Sequence, residues 1–212
     1  MSRRRVPVGL IALLAASVFV PGAGAVPSKV VQVLKANLDA DAQVEAVQVV
    51  DNLRPNTLGG TEPLHVEYAR IVDSVGGRHR VQQISPKTER MFVRAVRDYV
   101  TDARPDVWYE GGTGNGGAAP SDFGLVDWNG HGARVLWRYD SGRSNLGHRY
   151  GGASAALFND PSVDSPGREI KLQEGVLSPN DAACCPSHIQ ISLFKFNGTH
   201  YVLYSRKTVK AR

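Results

Sequence analysis

Two short stretches hold carboxylates at a spacing suited to binding a metal ion. Asn37-Leu-Asp-Ala-Asp-Ala-Gln-Val-Glu45 and Asp98-Tyr-Val-Thr-Asp-Ala-Arg-Pro-Asp106 align without gaps. In the first, Asp39, Asp41, Gln43 and Glu45 alternate, so hard oxygen ligands can converge on Ca²⁺. In the second, Asp98, Asp102 and Asp106 recur every fourth residue, Val100 replaces one acid, and Arg104 adds a cation. The alternative is a metal-free turn in which these acids cap backbone amides or pair with Arg97 and Arg104. A second chemical candidate is the vicinal pair Cys184-Cys185, followed by His188. It admits a strained disulfide, a dithiol or intermolecular bridges, and with His188 a soft-metal site that lacks a fourth ligand nearby. Neighbouring cysteines close almost no chain loop, so a bridge between them cannot staple the fold.

The elements that position these residues read as strands. Both acidic loops lie between runs rich in β-branched and aromatic residues, 30–35 and 44–50 for the first, 92–97 and 107–109 for the second. Further strands are expected at 64–73 and 79–84 around Gly76-Gly77, and at 125–128 and 134–139 around Asn129-Gly130. Residues 170–176 follow, then 189–196 and 201–204 around Asn197-Gly198. Ser85-Pro86 predicts a short helix opening there; a longer helix over 86–100 competes, because Phe92, Val96 and Val100 share a helical face. Residues 51–63 and 140–167 read as loops. The hairpins recur at a period of about sixty residues, giving weak units near 29–84, 85–140 and 168–207, the third carrying the loop 181–183. The expectation is an all-β, mainly antiparallel single domain over 29–212. It is a twisted sheet or sandwich built from about three hairpin-containing repeats, with at most one short helix beyond residue 25.

Residues 1–25 carry the marks of an export signal. Arg3, Arg4 and Arg5 precede an uncharged apolar run, Pro21 and Gly22 break it, and Ala23-Gly24-Ala25 supplies small residues for cleavage. The twin arginines leave the export route open between the general and the twin-arginine pathway. Those three arginines also account for most of the net charge of +5, so the remainder is nearly neutral. Near neutrality does not point to nucleic acid or to an anionic membrane as partner. No later apolar stretch is long enough to span a bilayer. Other motifs are weak. Residues 111–117 are glycine-rich without the Gly-Lys-Ser/Thr ending of a phosphate loop, and Gly152-Ala-Ser154 is a poor echo of a nucleophile elbow.

Two resemblances add to this. The acidic loops resemble the Asp-Leu-Asp-Gly-Asp-Gly-x-Pro-Glu loop of FG-GAP and VCBS repeats, with Ala40 and Ala42 where that pattern has glycines. A non-glycine residue there would pay for a left-handed backbone. Asp181-Ala-Ala-Cys-Cys-Pro-Ser187, with Phe196-Asn-Gly-Thr199 before Tyr201-Val-Leu203, is similar to the C-terminal part of the LppP/LprE lipoprotein family. That resemblance implies an envelope or secreted location and no assigned activity. The chain has no cysteine near the signal cleavage site to carry a lipid. The expected function is a non-catalytic cell-envelope or secreted binding or structural domain for an envelope or extracellular ligand, without cofactor unless the acidic loops take Ca²⁺. The competing class is an exported hydrolase or thiol-redox protein using the acidic loops or Cys184 and Cys185.

Overall fold

The computed structural model describes residues 28–54, 63–75, 78–112, 121–140, 150–158, 169–182 and 185–211. The signal-like segment 1–25 lies outside them. The described residues contain strands and no helix, so none crosses a membrane as a helix. The first sheet comprises β1 (Ser28–Ala36), β2 (Glu45–Arg54), β3 (Leu64–Val75) and β4 (Arg78–Gln83). The second comprises β5 (Arg90–Arg97), β6 (Asp106–Gly112), β7 (Ser121–Trp128) and β8 (Ala133–Asp140), and the third β9 (Tyr150–Phe158), β10 (Glu169–Val176), β11 (His188–Phe196) and β12 (Tyr201–Lys210). Each is an antiparallel meander in chain order. The fold is therefore all-β, with three packed sheets.

Alternation within the strands decides how the sheets stack. Val47 and Val49 of β2, with Ala69 and Ile71 of β3, meet Met91, Val93, Val107, Tyr109, Val126 and Trp128 of the second sheet. The opposite face of that sheet offers Trp108, Phe123, Leu125, Trp137 and Tyr139 to Ile170, Leu172 and Tyr201 of the third. The second sheet is thus the middle layer, and residues 106–109 and 123–128 are buried without a break. A strand covered on both faces has no polar side to show, which is why these segments read as continuous apolar runs. All three tryptophans belong to this core, Trp108 stacking on Trp137 at 5.8 Å between ring centres. Gly124 pairs with Tyr109, and a side chain on Gly124 would run into the tyrosine ring.

Hairpin chemistry repeats between sheets. Asn129 Oδ1 accepts from the amides of His131 and Gly132, and Asn197 Oδ1 from those of Thr199 and His200. Gly130 and Gly198 follow at φ 78° and 98°, the conformation glycine permits at least cost. At the junction of the first two sheets, the side-chain amide of Gln32 on β1 both donates to and accepts from the backbone of Val93 on β5, at 2.9 Å each way.

Two expectations are corrected. Neither the short helix at Ser85-Pro86 nor the longer one over 86–100 forms. Thr88 instead exchanges two backbone bonds with Glu67, at 2.7 and 2.9 Å, and Ser85 Oγ accepts from Ala69 N at 2.7 Å. Tertiary pairing has taken the groups a helix start would need. Second, the expected loop over 140–167 contains β9, a strand of glycine, alanine and serine that pairing with β10 holds in place. The third sheet begins at Tyr150. Consequently the loop with Asp181 joins the second and third strands of its sheet, whereas the loops with Asp39 and Asp102 join the first and second.

Candidate functional site

The first acidic loop is closed by its strands and by one buried carboxylate. Ala36 pairs with Glu45, so residues 37–44 fold back over the end of the sheet. Glu45 and Leu38 are both fully buried, and Glu45 Oε2 accepts from Leu38 N at 2.5 Å. Asp39 Oδ1 accepts from Asp41 N at 3.1 Å, Asp41 Oδ1 accepts from Gln43 N at 2.5 Å, and Asn37 Nδ2 donates to the Asp41 carbonyl. These turns bring the alternating acids to one place: an oxygen from each of Asp39, Asp41 and Glu45 lies within 4.8 Å of the others. Burial raises the pKa of Glu45; the Leu38 amide opposes this, and Asp39 and Asp41 add to the rise. Ala40 sits at φ 64°, as the missing glycine implied, while Ala42 does not share that conformation.

The second loop is built on the same frame but balances its own charge. Asp106 Oδ2 accepts from Tyr99 N at 2.8 Å, seven residues back, as Glu45 does from Leu38. Thr101, at the position of Ala40, has φ 63°, and Ala103 φ 69°. Asp98 caps the amides of Thr101 and Ala103. Asp102 accepts from Arg104 Nη2 at 2.7 Å. Burial pulls Asp102 upward, but its hydrogen bonds from Arg104 outweigh that and leave it below its usual value. Asp106, fully buried, is pushed up to about 7 by burial against the Tyr99 amide, with Asp127, Asp102 and Asp98 adding to the rise. Asp39, Asp41 and Glu45 are thus brought together to share one point, whereas Asp98, Asp102 and Asp106 are each engaged separately.

Two aspartates that the sequence reading passed over complete the picture. Glu45 and Asp73 continue the Ala46–Val72 pairing of β2 with β3, and Asp106 and Asp127 continue the Val107–Val126 pairing of β6 with β7. Asp127 lies close enough to Asp106 to raise its pKa, and Glu45 and Asp73 are both fully buried. Asp127 is 1% exposed, and its Oδ2 lies 2.8 Å from Arg134 Nη2 while Oδ1 lies 3.5 Å from Arg104 Nη2. Asp73 is 0% exposed, and neither of its oxygens has a hydrogen-bond partner among the described residues. Arg80, opposite Asp73 on β4, donates instead to the Gly130 carbonyl. Glu45 Oε1 and Asn37 Oδ1 are likewise buried and unpartnered. The signal in the sequence was the spacing Asp73 to Arg80 and Asp127 to Arg134, equal across two hairpins.

The donor set fits calcium. Ca²⁺ takes oxygens at about 2.4 Å and so bridges pairs up to about 4.8 Å apart, and it tolerates the irregular geometry that Mg²⁺ refuses. A buried carboxylate oxygen without a donor is costly. Glu45 Oε1 is such an oxygen within the cluster, and a divalent cation there would relieve that cost.

Elsewhere, Asp181 Oδ2 accepts from the amides of Ser178 and Ser187, which hold its carboxyl below the usual range. Ser178 Oγ, Ser187 Oγ and His188 Nδ1 form a chain with links of 2.7 and 2.9 Å. Cys185 is exposed on this turn; Cys184, and with it the geometry of the pair, lies outside the described residues. Ser154 lies within β9, which lacks the strand-to-helix turn of a nucleophile elbow. A cavity of about 1080 Å³ opens between β1, the start of β3 and residues 87–92, with Val31, Leu64 and Phe92 at its apolar wall and neither acidic loop in its lining. Compared with known proteins, the chain matches no family model, no curated sequence and no solved structure.

Proposed function

We propose that this protein is an exported, non-catalytic β-sheet module of the cell envelope or extracellular space whose first acidic loop binds Ca²⁺. The observation that carries the metal is the unpartnered buried Oε1 of Glu45, within 4.8 Å of whose carboxylate the acids of Asp39 and Asp41 converge. Asp39, Asp41 and Glu45 are the ligands, and Asn37 Oδ1 is a buried, unpartnered neutral oxygen of the same loop. The export signal read in residues 1–25 and the likeness of residues 178–203 to LppP/LprE proteins support the location. Extracellular modules use Ca²⁺ sites with dissociation constants of about 10⁻⁴–10⁻³ M, which three carboxylates on a partly exposed loop suit.

The competing enzyme reading draws on one feature, the Asp106 carboxyl raised to about 7 beside Asp127. Both residues are buried, and neither lines the cavity beside β1. The test is thermal unfolding of the mature protein in chelator and in millimolar CaCl₂. Ca²⁺ is expected to raise the midpoint by several degrees, MgCl₂ much less, and Asp41→Asn to remove most of the shift. Equal midpoints with and without Ca²⁺, and no saturable heat on calorimetric titration, would reject the reading.

A further inference from the structure

The first acidic loop is part of the joint between two sheets. A side chain on Gly130 would stand 2.5 Å from Asp39 Oδ2, so the β7–β8 turn rests directly on the loop. Arg80 of β4 donates to the carbonyl of the same glycine, and Gln82 Oε1 accepts from Ala133 N at 3.0 Å. Below these contacts Leu38 of the loop and Trp128, which ends β7, are packed in one core with Val47 and Ile71. From these contacts we infer that Ca²⁺ at the first loop operates this joint: it locks the first sheet onto the turn of the second. The inference rests on the site proposed above and assigns that site its effect.

Three observations lead there. Asp39 is shared, being both a ligand and the side chain against Gly130. Asp73 and Glu45 are both fully buried, and Arg80, the strand partner of Asp73, reaches the same turn at the Gly130 carbonyl. The third is an internal contrast. At the second loop Asp127 and Asp102 are met by Arg134 and Arg104, although Asp106 Oδ1 and Asp127 Oδ1 stay buried without a hydrogen-bond partner. The first loop has Gln43 where the second has Arg104, and the nearby Arg80 is turned to a carbonyl. The second loop carries its own arginine cations; the first takes its cation on loading.

Hydrogen exchange of the full mature chain tests this, run with CaCl₂ or chelator beside a calorimetric Ca²⁺ titration. Near saturation, exchange is expected to slow by about tenfold to a hundredfold at residues 38–43 and also at His131 and Gly132, with Thr101 to Arg104 and His200 unchanged. Saturable binding with protection confined to 38–43 would overturn the joint and leave the site standing. Absence of saturable binding would overturn the site and the joint together. Gly130→Ala gives a second reading: in a variant with an unchanged circular dichroism spectrum, Ca²⁺ affinity is expected to fall by tenfold or more. Unchanged affinity would count against coupling between turn and loop.

Discussion

Ala40 and Asp106 each hold a conformation or charge state that the residue type resists, and each is open to a single substitution. Ala40 lies at φ 64° in an exposed part of the first loop. Glycine would release about 1–2 kcal/mol of backbone strain and return some of that as extra freedom in the unfolded chain. Ala40→Gly is therefore expected to raise stability by about 0.5–1 kcal/mol, read from urea unfolding in chelator. For Asp106 the folded value of about 7 stands above the ordinary aspartate value of 3.8. Its contribution is complete below the lower value and is lost as pH rises through the upper one. Asp106→Asn keeps an oxygen for the Tyr99 amide and removes the titration. The variant should lose a decline in stability, on the order of 1–4 kcal/mol, that the natural protein shows between those two pH values. Parallel curves for the two proteins would contradict this. The groups facing Asp106 are Asp127, Asp102 and Asp98, with Arg104 and Arg134 beyond them.

At the scale of elements, what could be read from the sequence was what is settled locally. The Asn-Gly hairpins follow from the need for positive φ and from a side chain that bonds its own turn, and both recur as expected. The two acidic loops were visible for the same reason, and their gapless alignment carried over into matching bonds from Leu38 and Tyr99. Long-range pairing was not visible. Ser85-Pro86 has good helix-start chemistry, but Glu67 takes the backbone of Thr88 into a bridge. The strand β9 has few β-branched residues, so its own composition argues for a loop and only β10 makes it a strand. Asp73 was hidden for a related reason, since its environment depends on which residue of β2 lies across from it.

The whole molecule is a stack in which the middle sheet owes both its faces to its neighbours. Leu125 at 0% exposure sits in that layer, among Trp108, Phe123 and Trp137 and against Ile170. Leu125→Ala is expected to cost about 2–5 kcal/mol, in one cooperative transition seen alike by tryptophan fluorescence and circular dichroism. Two separated transitions would mean that the sheets unfold independently.

Stacked meanders leave outer strands whose backbone groups invite pairing with other chains. Where β1 and β5 approach, Gln32 answers that hazard with one side chain. Its amide carries a donor and an acceptor at the spacing of a peptide group, and Val93 accepts it as it would a passing strand. The backbone of Val93, at the edge of the second sheet, is thus occupied from within the chain. A single glutamine thereby closes one position that an outer strand would otherwise leave open to pairing.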